Sequence, residues 1–401
     1  MSPWRNEFPA IVNHPDYIFF DNAATTQKPQ VVINSMTNLW ESGVMALNRS
    51  SCQLANEQAQ LVEKSLQTIA NFFGAKKNNL IITKSATEAL NLIIYNFTHL
   101  LKPKEKVILS KSNHSSNLVG WSKFFPVEYL DFLNTGHLDL QQLTKYTQDE
   151  KVRVISINLV SNVFGHQENL KAITHLVQQA NETRKNKIYL IVDAAAAVSS
   201  QKINFLNTDI DFMIVSGHKM HGPFIAGIIG KNNLLGDNFL PINLGGGNVT
   251  YQSEKGWQLF PHSQKYFAGV TDLIAIIGWA SACQWLEKNQ AEKNHYLHQL
   301  TEILITNLKK INGIKILGEG KKTHLVTFTY QGYSYQDIMA YLSSKNFCVR
   351  GGQHCAQLIY QDLKLDGAIR ISLGIYNHIE EIEQLILQLC HLPDNIAPSC
   401  A

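Results

Sequence analysis

Five short segments carry side chains capable of chemistry, and each follows a run with the character of a β-strand. Ser216-Gly-His-Lys219 comes directly after residues 211–215. A lysine amine in a partly desolvated site is a candidate nucleophile, while Ser216 and His218 can donate to a phosphate. A solvated Gly-His-Lys turn is the plain alternative, and the apolar strand before it weighs against that. Residues 84–91, Lys-Ser-Ala-Thr-Glu-Ala-Leu-Asn, form a small-residue turn entering a helix. Backbone N–H groups, the Thr87 hydroxyl and the helix dipole can converge there on a phosphate. Taken alone, ordinary capping by Ser85 or Thr87 is the better account of the same residues. His114, within residues 112–117, is either a capping histidine or one that lies flat on a planar ring. Asp193 closes an apolar strand, which is costly unless a cation meets it. A protonated pyridine nitrogen is one such partner, and an arginine elsewhere in the fold is another. Cys355 sits beside His354 on a glycine-rich loop, a setting for a reactive thiol, although most cysteines are buried and inert. Arg370, in Ala-Ile-Arg-Ile-Ser-Leu, can grip a carboxylate in bidentate fashion or form a structural ion pair.

The elements that must position these groups follow from the hydrophobic pattern. Between about residues 60 and 230, β-rich runs at 80–83, 106–109, 152–158, 187–193, 211–215 and 226–230 alternate with helical spacing at 88–95 and 170–181. Several runs are apolar throughout, as expected of strands covered on both faces. The alternation predicts an α/β unit with a large, mostly parallel sheet, whose ligand site lies at the carboxyl ends of its strands. A helical stretch from residue 272 to 293 and beyond leads to strands at 324–330, 347–349 and 369–373 and helices at 335–344 and 378–390. That is the make-up of a small α+β unit. The predicted division is 16–271 for the large unit and 272–401, joined by residues 1–15, for the small one.

Composition narrows the function classes. Among 401 residues, 35 basic and 32 acidic side chains give 35 − 32 = +3 with histidine neutral, and 45% are hydrophobic. This is the balance of a globular chain with a sizeable core. No basic cluster accompanies the small excess, which argues against nucleic acid or an anionic membrane as partner. The start shows no basic stretch followed by an apolar one, and the longest apolar run, residues 273–283, is about half a membrane span. Six cysteines, at 52, 283, 348, 355, 390 and 400, form no CxxC pair and fit a reducing cytoplasm. No metal-ligand spacing stands out.

In this order and spacing the segments resemble the class V, fold-type I enzymes that use pyridoxal phosphate, in particular the group II cysteine desulfurases. The likeness runs from residues 17–26, Tyr-Ile-Phe-Phe-Asp-Asn-Ala-Ala-Thr-Thr, to residues 370–377, Arg-Ile-Ser-Leu-Gly-Ile-Tyr-Asn. Ser216-Gly-His-Lys219 is similar to the family's cofactor-lysine motif, and Gln353-His-Cys-Ala356 to its group II cysteine loop. Gly351-Gly-Gln-His-Cys-Ala-Gln357 and Leu47-Asn-Arg-Ser50 look most like the cysteine sulfinate desulfinase branch.

The resemblance implies roles. Lys219 would hold the cofactor and move protons, with Asp193 on the pyridine nitrogen and His114 stacked on the ring. Thr87, Ser216, His218 and the Ala86 amide would bind the phosphate, and Asn162 would lie near the phenolic oxygen. Arg370 and Asn22 would orient the substrate carboxylate. Cys355 would take sulfur from L-cysteine as a persulfide, release alanine, and pass the sulfur to an acceptor protein, as in iron–sulfur cluster assembly. A cytoplasmic homodimer is implied as well. Cysteine sulfinate or selenocysteine as substrate, or a non-catalytic family member, are the alternatives.

Four positions depart from the family pattern. Asp193-Ala-Ala-Ala196 lacks the usual glutamine, a loss expected to cost roughly 1–3 kcal/mol. Val270 replaces a threonine that reaches the phosphate across the dimer, Ser115 a second histidine, and Asn48 another histidine.

Overall fold

The computed structural model describes residues 2–46, 51–198, 200, 202–236, 238–288 and 290–398. Residues 47–50 and Cys400, both part of the expectations above, lie outside them. A short strand, β1 (Ile18–Phe19), precedes the main sheet of β2 (Leu80–Thr83), β3 (Lys106–Ser110), β4 (Val127–Leu130), β5 (Val152–Asn158), β6 (Tyr189–Asp193), β7 (Phe212–Ser216) and β8 (Ala226–Gly230). Among the described residues the sheet order is β2-β8-β7-β6-β5-β3-β4. Neighbours run parallel except β8, which is antiparallel to both β2 and β7. The reason is length: only residues 217–225 join β7 to β8, too few for the crossover that a parallel return requires. That short loop is the one carrying Lys219.

Strands β5, β7 and β8 are buried at every position, as the apolar runs of β7 and β8 predict for a sheet covered on both faces. Strand β5 also buries Arg153, which pairs with Glu105 at 2.6 Å. The edge strand β4 escaped the sequence pattern because Val127-Glu-Tyr-Leu130 is mostly half-buried. Its Glu128 pairs with Lys106 at 2.6 Å, and a charge of this kind is common on an exposed edge. The helix Ala86–Leu100 starts at Ser85, whose hydroxyl accepts from the Glu88 amide, and Leu170–Thr183 starts at Asn169 in the same way. The stretch after Asp272 breaks at Lys288, which is extended, into Leu273–Glu287 and Gln290–Leu308. The first of these is buried on nearly all sides against Gln30–Glu41 and Gln53–Phe72.

Beyond a β9–β10 hairpin (Val249–Ser253 and Gly256–Leu259), the remaining strands are β11 (Ile314–Ile316), β12 (Leu325–Tyr330), β13 (Phe347–Cys348), β14 (Arg350–Gly352) and β15 (Ala368–Ser372). Four of them form an antiparallel sheet in the order β11-β12-β15-β14, while β13 pairs in parallel with β1. Arg350–Gly352 was expected to be a loop, and its half-buried Arg-Gly-Gly gives no alternation to read. The first residues reach the C-terminal region, where Arg5 meets Glu381 at 2.7 Å and the Tyr376 carbonyl at 3.0 Å. Among the described residues no helix is long and apolar enough to cross a membrane.

Candidate active site

The carboxyl ends of β2, β3, β5, β6 and β7 open on one cavity of about 220 Å³, and Arg350, His354 and Arg370 of the smaller sheet region supply its opposite wall. Four of the five segments singled out by sequence line it directly, and the fifth does so through Arg350 and His354, the neighbours of Cys355.

At the end of β2, Ser85 takes the capping duty by accepting from the Glu88 amide at 3.2 Å. Capping and anion binding therefore divide between neighbours, leaving Ala86 and Thr87 on the cavity wall at the positive end of the helix. Ser216 ends β7 fully buried, and its hydroxyl has no partner among the described residues. A buried hydroxyl left unpaired costs about 1–3 kcal/mol, so its position beside the cavity marks a place for an acceptor. His218 stacks on Phe224 with ring centroids 5.5 Å apart. Its carbonyl accepts from the Thr26 amide at 3.0 Å, so the 21–26 turn clamps the lysine loop.

Lys219 is half-buried on the cavity wall, and desolvation pushes its pKa down while the charge of Asp193 opposes that. Asp193 responds in the other direction, pushed up by burial against the Ala195 amide and the Lys219 charge. Both shifts favour the neutral forms, as expected of a desolvated acid and amine that lack a closer counter-ion. The Asp193 carboxylate accepts from the Ala195 amide at 3.0 Å, which leaves acceptor capacity free for a cationic N–H.

His114 is lowered to about 4, first by burial and then by the charges of Lys219, Arg350 and Arg370. Its Nδ1 accepts from the Ser116 amide at 3.2 Å, so the proton of the neutral ring sits on Nε2. The loop around it is tied down by Asn113, whose amide donates to the Ser156 carbonyl at 2.9 Å and whose oxygen accepts from the Asn158 amide at 2.8 Å.

Asn162 donates to the carbonyl of His354 at 2.7 Å, and its own carbonyl accepts from Arg370 at 3.2 Å. Arg370 is 1% exposed and pairs with Asp21 at 2.9 Å. The ion pair and the cavity position thus coexist, and Nε of Arg370 still lacks a partner among the described residues. Asn22 is placed differently from its expected role. It is buried, its amide donates to the Ser372 carbonyl at 2.9 Å, and its oxygen accepts from the Tyr376 hydroxyl. Both ends are engaged, and the cavity wall nearby belongs to Ala23 and Ala24.

Cys355 is half-buried, and Arg350 Nη2 lies 3.7 Å from its sulfur. Of the departures, Ala196 lines the cavity, whereas Val270 is 73% exposed on the outer surface. Sequence reasoning missed Arg350 and Asn158 as wall residues. Asn158 ends an apolar strand just as Asp193 does, so the same rule applied to β5 would have found it. Arg350 had no comparable signal, since only the pairing of β14 with β15 turns it toward the cavity.

Comparison with known proteins agrees with this arrangement. The family model described as aminotransferase class-V matches residues 18–385. A probable cysteine desulfurase of Vibrio cholerae is 28% identical over 95% of this chain and 96% of its own. One from Xylella fastidiosa is 29% identical over 96% and 94%. Among solved structures, the apo cysteine desulfurase of Thermococcus onnurineus superposes with a TM-score of 0.91 at 24% identity, covering 98% of each chain. The cysteine desulfurase CsdA of Escherichia coli gives 0.89 at 24% identity with the same coverage. These two likenesses establish the fold.

Proposed function

The chain belongs to the aminotransferase class-V family, and on that footing we propose that it is a cysteine desulfurase working with pyridoxal phosphate. The observation that carries the proposal is the convergence of a half-buried Lys219, a buried Asp193 and the Cys355 loop on one cavity. The residues fit the cofactor. The unpaired Ser216 hydroxyl, Thr87 and the Ala86 amide suit its phosphate, and the free acceptor capacity of Asp193 suits a protonated ring nitrogen. His114 is neutral and positioned on the wall for a ring face, with Asn162 and His218 as further polar contacts.

Bound pyridoxal phosphate supplies an electron sink for the substrate carbons. Lys219, whose pKa is pushed down chiefly by desolvation, takes the Cα proton and returns one to carbon. Arg370 holds the substrate carboxylate, and Asn22 supports that wall by fixing the Ser372 and Tyr376 positions behind it. The Cys355 sulfur attacks the sulfur of L-cysteine. An S–S bond forms as the Cβ–S bond breaks, its electron pair returns to the substrate carbon, and protonation there gives L-alanine. Arg350 places a cationic donor beside the sulfur that keeps the persulfide.

The same reading includes an acceptor protein for the persulfide sulfur, a homodimer, and a division into residues 16–271 and 272–401 with 1–15. Cysteine sulfinate is the second reading, favoured by Arg350 as an additional guanidinium in the cavity. The test is cofactor loading followed by alanine release from L-cysteine with a reductant, beside cysteine sulfinate and selenocysteine. Visible absorbance in the wild type that is lost on dialysis of Lys219→Ala supports the proposal, and cofactor-loaded protein that releases no alanine overturns it. Cys355→Ala separates the substrates: desulfuration collapses, while desulfination largely survives.

A further inference from the structure

A second group of side chains meets away from the cavity, at the base of the turn that carries Asn162. Residues 159–168 fold back on themselves, with the Ser161 amide donating to the His166 carbonyl at 3.1 Å and the Glu168 amide to the Leu159 carbonyl at 2.9 Å. This turn drives His166 and Glu168, two residues apart, into the interior with side chains 1% and 3% exposed. Glu168 Oε1 lies 2.8 Å from His166 Nε2. Its other oxygen is 3.5 Å from Nδ1 of His137, which belongs to the neighbouring turn closed by the Phe132–Leu138 bridge. One ligand atom from each residue falls within 4.8 Å of the other two.

We propose that His137, His166 and Glu168 form a binding site for a divalent transition-metal cation of the zinc type. Two imidazole nitrogens and one carboxylate oxygen suit such a cation, whereas calcium and magnesium prefer all-oxygen sets. Bonds of about 2.0–2.2 Å place adjacent ligands roughly 3–3.5 Å apart, so the present separations need shifts of about 1 Å. Charge points the same way. Glu168 is buried, yet among the described residues no lysine or arginine pairs with it. Lys322, which lies nearby, gives its ammonium to the carbonyls of Phe164, Leu317 and Gly318 at 2.7, 2.8 and 3.0 Å. A divalent cation supplies the missing counter-charge. The His137 side chain is 39% exposed, which provides an entry path and a solvent-facing position for a bound water. Nδ1 of His166 has no partner among the described residues. The outer hydrogen bond that usually steadies a ligating imidazole is worth roughly 10–100-fold in affinity, so the site binds more weakly by that factor than one with a complete outer shell.

The experiment titrates chelator-stripped, cofactor-loaded full-length protein with zinc by calorimetry, comparing wild type with His137→Ala, Glu168→Gln and Cys355→Ser. His137 is half-exposed, so its replacement leaves the fold intact even where the buried Glu168→Gln does not. The expected result is one saturable zinc per chain, weakened at least about 10-fold in His137→Ala and unchanged in Cys355→Ser. Cobalt at the same site gives visible bands without a thiolate charge-transfer band. Equal affinity in wild type and His137→Ala, or no saturable binding in wild type, overturns the proposal.

Discussion

The amide and the hydroxyl of Ser115 both reach the carbonyl of Cys355, each at 2.8 Å. The loop they hold is unusual, because His354 and Cys355 are consecutive non-glycine residues at φ 51° and 56°. A left-handed conformation costs roughly 1–2 kcal/mol per residue, and the two bonds from Ser115 and the one from Asn162 to His354 offset that cost. The thiol loop is thereby fixed to the same turn that carries His114. The hydroxyl is also 2.8 Å from Gln357 Oε1, so its single proton serves one acceptor at a time.

Ser115→Ala should accordingly lower turnover on L-cysteine by roughly 3–10-fold, the worth of one neutral hydrogen bond of about 0.5–1.5 kcal/mol. The amide tether remains, so cofactor absorbance and melting temperature should stay near wild type, and Ser115→Thr should restore the rate. Steady-state kinetics with spectra recorded on the same samples check this. An unchanged rate in Ser115→Ala would show that the hydroxyl does not position the thiol.

Replacing Asp193 should act first on the cofactor. Burial pushes this carboxyl up, and in the absence of a cationic partner it contributes stability at low pH that fades as pH rises through its folded pKa. A protonated ring nitrogen reverses this by stabilising the carboxylate. Asp193→Asn should weaken cofactor binding roughly 10–100-fold, the range for a hydrogen bond between charged groups of about 1.5–3 kcal/mol. Equilibrium titration of apo protein followed by absorbance measures it. The pH dependence of melting should be shallower for the loaded protein than for the apo protein.

Acid should unfold the chain early. His114, His218 and His324 are lowered to about 4, and His221 and His354 to about 3, in every case chiefly by burial. The folded state therefore binds fewer protons than the unfolded one, and the stability these groups contribute above pH 6.5 is lost as pH falls toward 4. For His324 the shift from 6.5 to about 4 corresponds to about 3 kcal/mol. Melting temperature should fall steeply across that window, and His324→Leu should flatten the slope. A slope identical to wild type would contradict the assignment of His324 as a buried neutral ring.

Gly165→Ala tests the turn beneath Asn162. Gly165 has φ 72°, and a Cβ there would lie 2.4 Å from the Leu325 carbonyl oxygen. Backbone has little room to move, so the substitution should destabilise by about 2–4 kcal/mol, whereas Gly320→Ala should cost about 1 kcal/mol. At Gly320, φ is 92° but nothing lies within 4 Å. Denaturant unfolding of the two variants side by side checks the difference.

The apolar runs of β6 and β7 and the small-residue segments after the strands are local properties. They were enough to predict a mostly parallel sheet with Thr87, His114, Asp193 and Lys219 at its carboxyl ends. The edge strand β4 and the strand Arg350–Gly352 were not legible, because a half-exposed strand has no continuous apolar run and Arg-Gly-Gly has no alternation. Asn22 shows the limit for a site residue: its type suits a substrate contact, yet packing against Ser372 and Tyr376 engages both ends of its amide. His137, His166 and Glu168 show the converse: the last two stand two positions apart, but His137 lies 29 positions before His166, so no single short motif announces the three. Residue type and position after a strand decided by themselves that Thr87, His114, Asp193 and Lys219 face the cavity. Only the folding together of distant segments decided that Ser115 holds the thiol loop, that Arg350 faces its sulfur, and that two imidazoles meet a buried carboxylate. Contacts of that kind depend on where separate turns come to rest, which no periodicity within one segment records.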